Sequence, residues 1–354
     1  MTLPFLNGSF KKKRNQIMAV DLGSRTTKAV LVERRGDALA LTRYAMVDAP
    51  ISDKKIPTEA MIEHLRTVAG AVGGGSKAVA LSVGQDEALV RQVELPQMPI
   101  GEVRQMVKLN SKNILQQELP DHVFDIYIFA PKTAPAPETK GAPGKMKVLV
   151  GAAPRRMVDD YQAAVKGAGL AAEYMVPGLV GPINAFELSL PQVFENESVA
   201  LVDIGFKHST ICLLDRGQLA LSRTVNIGGD KLTAGLAEAM SISYAEAEGI
   251  KIGLAPEARA VLETQVAPLG RELRASIDFF EHQQDRQVTQ IYVCGGAAPS
   301  EVFLEMLRVE MLAECKTWNP TAFLQLALPD KQAGEIAHVA PQLSVAIGAA
   351  VAAL

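Results

Sequence analysis

Residues 16–22 (QIMAVDL) carry a short apolar run that Asp21 ends, and 26–33 (TTKAVLVE) is rich in β-branched residues. Both predict strands. ALALTRYAMV, 38–47, predicts a third strand after the turn at Arg35, Gly36 and Asp37. TEAMIEHLRTVAGAV, 58–72, carries apolar residues at helical spacing, and the glycines of 73–75 end it. AVALSV, 78–83, predicts a buried strand.

The rhythm changes after residue 84. EALVRQVELP predicts a strand, 100–119 a single amphipathic helix closed by Pro120, and 124–130 and 145–153 two further strands. The Pro, Gly and Lys content of 131–144 predicts an exposed, mobile loop. A helix over 155–170 completes a β-α-β-β-α block with the character of a small inserted unit. VPGLVGPINAFEL, 176–188, then leads into SVALVDIGFKHSTICLLDRGQLALSRTV.

That last stretch repeats the opening. Asp203-Ile204-Gly205 matches Asp21-Leu22-Gly23, HSTICLLD matches TTKAVLVE, and Leu219–Arg223 matches Leu39–Arg43. The order is twice strand, Asp-x-Gly turn, strand, turn, strand, which predicts two related halves. The second half continues with helices at 231–240, 243–253 and 266–284, a strand at 290–296, a helix at 301–312 and a closing helix over 338–354. The expected fold class is α/β.

One Asp-x-Gly turn is an ordinary hairpin corner. A matched pair has a chemical use. The glycines let backbone N–H groups approach an anion, and the strand-end carboxylates suit Mg²⁺, which prefers oxygen ligands and keeps several waters. Gly23, Ser24, Arg25, Thr26 and Lys28 in the first turn, and Gly205, Lys207, His208, Ser209 and Thr210 in the second, are candidate phosphate contacts. Asp21 and Asp203 are the candidate catalytic and Mg²⁺-holding carboxylates, acting through water. Gly228 and Gly229, followed by Lys231, stand at a strand-to-helix junction where helix N–H groups can meet phosphate. Gly295, Gly296 and Ala297 end a strand in the same way. Glu248 and Lys251 share a helix face, with ribose and adenine edges as candidate targets and a surface ion pair as the alternative.

Composition excludes several classes. The net charge of −3 argues against a general nucleic-acid binder. The one dense basic run, Lys11–Arg14, reads as a solvated tail or a contact for an anionic membrane surface. No stretch approaches the roughly 20 apolar residues of a membrane span, and the N-terminus lacks the pattern of a secretory signal. Cys212, Cys294 and Cys315 have no metal spacing and point to a reduced, cytosolic setting. Neither a P-loop nor a G-x-G-x-x-G fingerprint occurs.

These residues resemble the actin-like ATPase superfamily and, within it, the PilM family of type IV pilus assembly, related to FtsA. VDLGSRTTK and LVDIGFKHST resemble the two phosphate motifs, VNIGGDKLT with SYAEAEGIKIG a family segment, IYVCGG the adenosine motif, and PQLSVAIGAAV the second connecting helix. The resemblance implies a two-lobed fold of duplicated ribonuclease-H-like sheets with an inserted α+β subdomain. It places 16–84 in the first lobe, 85–171 in the insert, 172–197 in the first connecting region, 198–340 in the second lobe and 341–354 in a helix packing back on the first lobe. It implies ATP and Mg²⁺ between the lobes, and a cytoplasmic scaffold at the inner face of the inner membrane. The implied partner is the N-terminal peptide of a PilN-type membrane protein, with pilus motor or platform proteins and self-association as further candidates, and membrane contact only indirect. Arg25, Phe206, Lys207, His208 and the Ala297-Ala298-Pro299 run depart from the small residues usual there. Glu187 is the candidate for orienting a hydrolytic water. The alternatives are an FtsA-like filament former, a small-molecule kinase of the same fold, and an adaptor that binds no nucleotide.

Overall fold

The computed structural model describes residues 14–50, 56–84, 87–129, 144–253, 258–298 and 300–354. The chain opens as an antiparallel meander of β1 (Gln16–Asp21), β2 (Thr26–Arg35) and β3 (Ala38–Asp48). α1 (Thr58–Val72) crosses over, and β4 (Ala78–Val83) returns parallel to β1. The insert follows as β5 (Leu89–Pro96), α2 (Ile100–Leu109), α3 (Ser111–Leu115), β6 (His122–Ile128) and β7 (Lys145–Pro154), with sheet order β5-β7-β6. α4 (Arg155–Gly167) leads to β8 (Ala171–Pro177), which pairs parallel with β4. α5 (Val180–Ser189) and α6 (Pro191–Asn196) then cross to the second lobe.

The second lobe repeats the first. β9 (Ser198–Ile204), β10 (Ser209–Asp215) and β11 (Gln218–Val225) form an antiparallel meander. α7 (Gly229–Met240), α8 (Tyr244–Gly253) and α9 (Arg259–Gln284) lead to β12 (Gln290–Gly295), parallel to β9. α10 (Glu301–Met311) and β13 (Cys315–Thr317) extend this sheet to the order β11-β10-β9-β12-β13. The first sheet runs β3-β2-β1-β4-β8 in the same sense, with the short β14 (Gln325–Leu326) added outside β3. α11 (Asp330–Val339), a 3-10 turn over 340–343 and α12 (Ser344–Ala353) close the chain.

The duplication extends to register. Asp21 pairs with Lys28 and Asp203 with Thr210, the same seven-residue span. An irregularity interrupts the second pairing at Leu31/Val32 in one half and at Leu213/Leu214 in the other, ten residues beyond each Asp. An extra residue there bends the strand and increases its twist.

Each sheet buries both faces. The outer face of the first packs under α1 and α4, through Leu65, Val68, Met157 and Val165. The outer face of the second packs under α7, α9 and α10, through Leu236, Leu273 and Leu307. The inner faces share one core with α5 and α12, which joins Ile17 and Val30 of one lobe to Leu201 and Tyr292 of the other. The insert has its own small core under α2 and α3, around Val103, Val107, Val148 and Val150.

Several elements differ from expectation. The single helix expected over 100–119 is broken at Asn110, whose angles (φ −132°, ψ 33°) leave the helical region and whose side chain accepts from Asn113 Nδ2 at 2.7 Å. Asn competes for backbone geometry in this way. The helix expected from 266 begins at Arg259, and Pro268 lies inside it. Leu262, Val266, Leu269 and Leu273 keep one buried face through the proline, which outweighs the missing donor. β8, α6, β13, β14 and α11 had no counterpart in the sequence reading. The residues 155–167, read as the last element of the insert, pack on α1 in the core of the first lobe.

No membrane-length apolar run was expected from sequence. Among the described residues one helical run, Asp330–Ala353, is long and apolar enough by length and composition, and 67% of its most apolar window is buried inside the protein. The loop expected over 131–144 lies outside the described residues up to Gly144, as do Lys11–Lys13 of the basic run. Arg14, its last member, pairs with Glu173.

Candidate functional site

The two Asp-x-Gly corners end β1 and β9, and the charges of Asp21 and Asp203 both act on Lys28, which follows the first corner. Lys28 Nζ lies 3.2 Å from Asp21 Oδ2. Burial disfavours its ammonium, yet the charges of Asp21 and Asp203 outweigh burial and hold the Lys28 pKa above its usual value. Burial pushes the Asp203 carboxyl up to about 6, with Lys28 opposing the shift and Asp21 adding to it. The ammonium contacts the carboxylate of its own lobe and feels the charge of the one on the other lobe. Leu179, Pro182, Leu201, Thr210 and Cys212 line a narrow pocket ending at Asp203. It encloses about 180 Å³ including its mouth, below the roughly 300–1,000 Å³ of ordinary ligand pockets. It is a recess beside the carboxylate and not a nucleotide chamber.

The glycines serve backbone contacts first. A Cβ on Gly23 would stand 2.9 Å from Lys28 Nζ and 2.5 Å from Thr26 O. On Gly205 it would stand 2.7 Å from His208 O, and on Gly228 2.7 Å from Gly205 O. Gly295, at φ +91°, leaves no room for a side chain beside Asp203 Oδ1 and Ile204 O. These absences of Cβ let the second turn, the start of α7 and the end of β12 converge.

The α7 terminus is already engaged. Gly229 N–H donates to Gly205 O at 3.0 Å and Asp230 N–H to Phe206 O at 2.9 Å. Sequence reading offered this terminus as a phosphate contact; here these two groups clamp it onto the second turn. Gly296 N–H likewise donates to Ile204 O at 2.9 Å. Ser209 is fully buried and its hydroxyl donates to Ile227 O at 2.5 Å. His208 Nδ1 lies 3.0 Å from Asn226 Oδ1. Ser24, Lys207 and Lys231 are exposed, Thr26 is half-buried, and Ala297 sits half-buried in the turn before α10.

Glu248 and Lys251 do form an ion pair, at 2.7 Å. It is tied into the lobe, since Thr233 Oγ1 donates to Glu248 Oε2 at 2.5 Å and Lys251 Nζ donates to Thr233 Oγ1 at 2.7 Å and Gly229 O at 3.2 Å. Burial opposes the Glu248 charge, but Lys251 and Thr233 hold its carboxyl below the usual range. Thr233 was not singled out from sequence, although it sits within the quoted VNIGGDKLT segment. Arg25 reaches over from the other lobe, with its guanidinium 3.5 Å from Glu248 Oε1 and 5.1 Å from the centre of the Phe206 ring.

Leu179 and Pro182, at the start of α5, line the Asp203 recess, whereas Glu187 lies about 7.5 Å further along the helix axis. There its charge acts on Tyr127 of the insert.

The carboxylate donors are of the type that suits Mg²⁺. Two strand-end carboxylates suit a hard cation held partly through water, and no cluster of three or more His, Cys, Asp or Glu occurs among the described residues to make a dedicated protein cage. Ser82, opposite Asp21 on β4, is 1% exposed and its hydroxyl has no hydrogen-bond partner among the described residues. A lone polar residue in the AVALSV strand was its only signal in the sequence.

A family model described as Type IV pilus assembly protein PilM matches residues 19–353. The fold is similar to that of a PilM-PilN type IV pilus biogenesis complex, with a TM-score of 0.83 at 18% identity over 97% of this chain and 99% of that one. Ethanolamine utilization protein EutJ from Carboxydothermus hydrogenoformans matches with a TM-score of 0.54 at 16% identity, over 96% of this chain and 90% of that one. MreB 5 of Spiroplasma citri bound to AMPPNP matches with a TM-score of 0.50 at 11% identity, over 96% of each chain. At these identities the likeness speaks for the fold, which is that of the actin-like ATPases.

Proposed function

The chain belongs to the type IV pilus assembly protein PilM family, and from that premise we propose that it is a cytoplasmic ATP-binding scaffold of the pilus inner-membrane platform that docks the N-terminal segment of a PilN-type membrane protein. The observation that carries this reading is the family match over residues 19–353. The partner is supported by the PilM-PilN complex, whose fold this chain shares along nearly its whole length. The position at the inner face of the inner membrane follows from that partner, not from a membrane contact of this chain.

ATP is supported by the two strand-end carboxylates and the ammonium on which both act. Asp21 and Asp203 would hold Mg²⁺ through water, Lys28 and the backbone of the two turns would take the phosphates, and Glu248 with Lys251 would meet the ribose and base. The metal, when bound, neutralises phosphate charge. Gly295 and Gly296 would border the adenosine. Hydrolysis is not part of the proposal, because Glu187 stands toward the insert.

Pull-down with a PilN-type N-terminal peptide, with and without Mg-ATP, tests the scaffold role. Capture in at least one state is expected, and failure in both refutes it. An adaptor that binds no nucleotide is favoured by one specific observation: Arg25 and the first N–H groups of α7 already have protein partners. Calorimetry of the parent and of the Asp21→Ala, Asp203→Ala double variant decides between them. Heat of Mg-ATP binding in the parent that vanishes in the variant supports the nucleotide reading, and no heat in either supports the adaptor.

A further inference from the structure

The cleft is bridged at the edge where the two turns meet. Arg25, at the tip of the first turn, reaches into the second lobe and makes two contacts there. Its guanidinium pairs with Glu248 Oε1 at 3.5 Å, and it lies over the Phe206 ring at 5.1 Å. The receiving side is fixed. Glu248 Oε2 is held by Lys251 and Thr233, so the free edge of that carboxylate points to Arg25. Phe206 is held by its own carbonyl, which accepts from Asp230 N–H. Behind the clasp, the lobes join through the shared core and the α5–α12 crossing.

We propose that Arg25 is a cross-cleft clasp that holds the two lobes closed without nucleotide. In an actin-like fold the bound triphosphate is otherwise the group that both turns could grip together. Here a side chain of one turn grips the other directly. The two ordinary departures from small turn residues, Arg25 and Phe206, are the two members of the clasp. Closure of this chain, and any partner surface that depends on the angle between lobes, is thereby released from a strict requirement for ATP. The inference deepens the nucleotide reading and rests on it only for the effect of ATP.

The contacts set the size of the effect. Arg25 is 45% exposed and Glu248 15% exposed. An ion pair and a cation–π contact of this exposure together shift a two-state equilibrium by about threefold to tenfold.

The test is the distance between the lobes in the full chain, read by pulsed electron spin resonance between spin labels at Thr67→Cys on α1 and Ala239→Cys on α7. Both positions are exposed, and the three native cysteines are buried. Without nucleotide, the parent should give one narrow distribution. Arg25→Ala should add a longer component, with the open population raised about threefold to tenfold, and Phe206→Leu should lie between. Arg25 is an exposed turn residue, and equal thermal unfolding of variant and parent excludes misfolding as the cause. Identical nucleotide-free distributions for parent and Arg25→Ala would overturn the proposal. Mg-ATP should return Arg25→Ala to the short distance. If calorimetry detects no ATP binding, the nucleotide reading fails while the clasp stands on the nucleotide-free comparison. If ATP binds and Arg25→Ala remains open, the expected reclosure by nucleotide is overturned.

Discussion

Gly348 of α12 crosses Gly181 of α5 so closely that a Cβ on Gly348 would overlap the Gly181 carbonyl group, and a Cβ on Gly181 would stand 2.5 Å from Val345 O. The two helices that run between the lobes thus meet backbone to backbone, and Asn184 Nδ2 adds a 3.4 Å bond to Gly348 O. Gly348→Ala should force this crossing apart. Overpacking of this kind costs about 1–3 kcal/mol, against a helix-propensity gain of about 1 kcal/mol. Urea unfolding should show a net loss. Gly334→Ala in α11 is the control, since nothing lies within 4 Å of its would-be Cβ, and it should stabilise by up to about 1 kcal/mol. Equal signs for the two substitutions would contradict the close crossing.

Asp203 should be a stability burden that function retains. Burial raises its folded pKa to about 6 from 3.8. Between these values the folded state binds more protons than the unfolded state, so stability falls as pH rises through the interval and stays lowered above 6. Asp203→Asn removes this penalty. It should stabilise the protein at pH 7 by on the order of 1–3 kcal/mol while abolishing Mg²⁺-dependent nucleotide binding. Below pH 4 the two proteins should converge. Denaturant midpoints from about pH 3 to 8 measure this, and a parallel offset at every pH would rule the burial account out.

The opposite pH limb belongs to His64. It lies 8% exposed between α1 and β2, with Nε2 2.7 Å from Thr27 Oγ1. Burial lowers its pKa below 6.5. The unfolded state therefore takes up the proton first, and stability is full above about pH 6.5 and lost as pH falls toward the lowered folded value. His64→Gln keeps a partner for Thr27 and does not titrate. It should flatten the loss below about pH 6.5, and an unchanged acid limb would assign that loss elsewhere.

Much of this architecture was legible in the chain. The recurrence of Asp-x-Gly with matching flanks announced two halves, and pairing confirms it in the equal spans of Asp21–Lys28 and Asp203–Thr210. The matched irregularities at Leu31 and Leu213 were not legible, because an extra residue in a strand leaves the apolar pattern intact. β8 escaped because AAEYMVP, an edge strand paired parallel with β4, lacks clean alternation. In the site, residue types were legible and their partners were not. Nothing in the sequence shows that Ser209 turns inward to Ile227 O, or that Gly228 yields to carbonyls of the second turn. Such backbone contacts leave no trace in the order of side chains.

Gly23 and Lys28 should fail in the same way when changed. Gly23 lacks the Cβ that would stand 2.9 Å from Lys28 Nζ, so the glycine of the first motif makes room for the ammonium on which Asp21 and Asp203 both act. Lys28→Met leaves the two carboxylates without that cation. Breaking a partly buried pair by removing one partner costs several kcal/mol, about 3–5 where burial is complete. Asp203 should then titrate above its present value of about 6, because Lys28 is the group that opposes the shift. Carbon-detected titration of the carboxyls reads this directly. Gly23→Ala should displace the Lys28 side chain and raise the Asp203 pKa in the same direction by a smaller amount, with Mg-ATP affinity falling in step in both variants. An Asp203 titration unmoved by either substitution would mean that the charge of the ammonium does not act on the carboxylate of the other lobe.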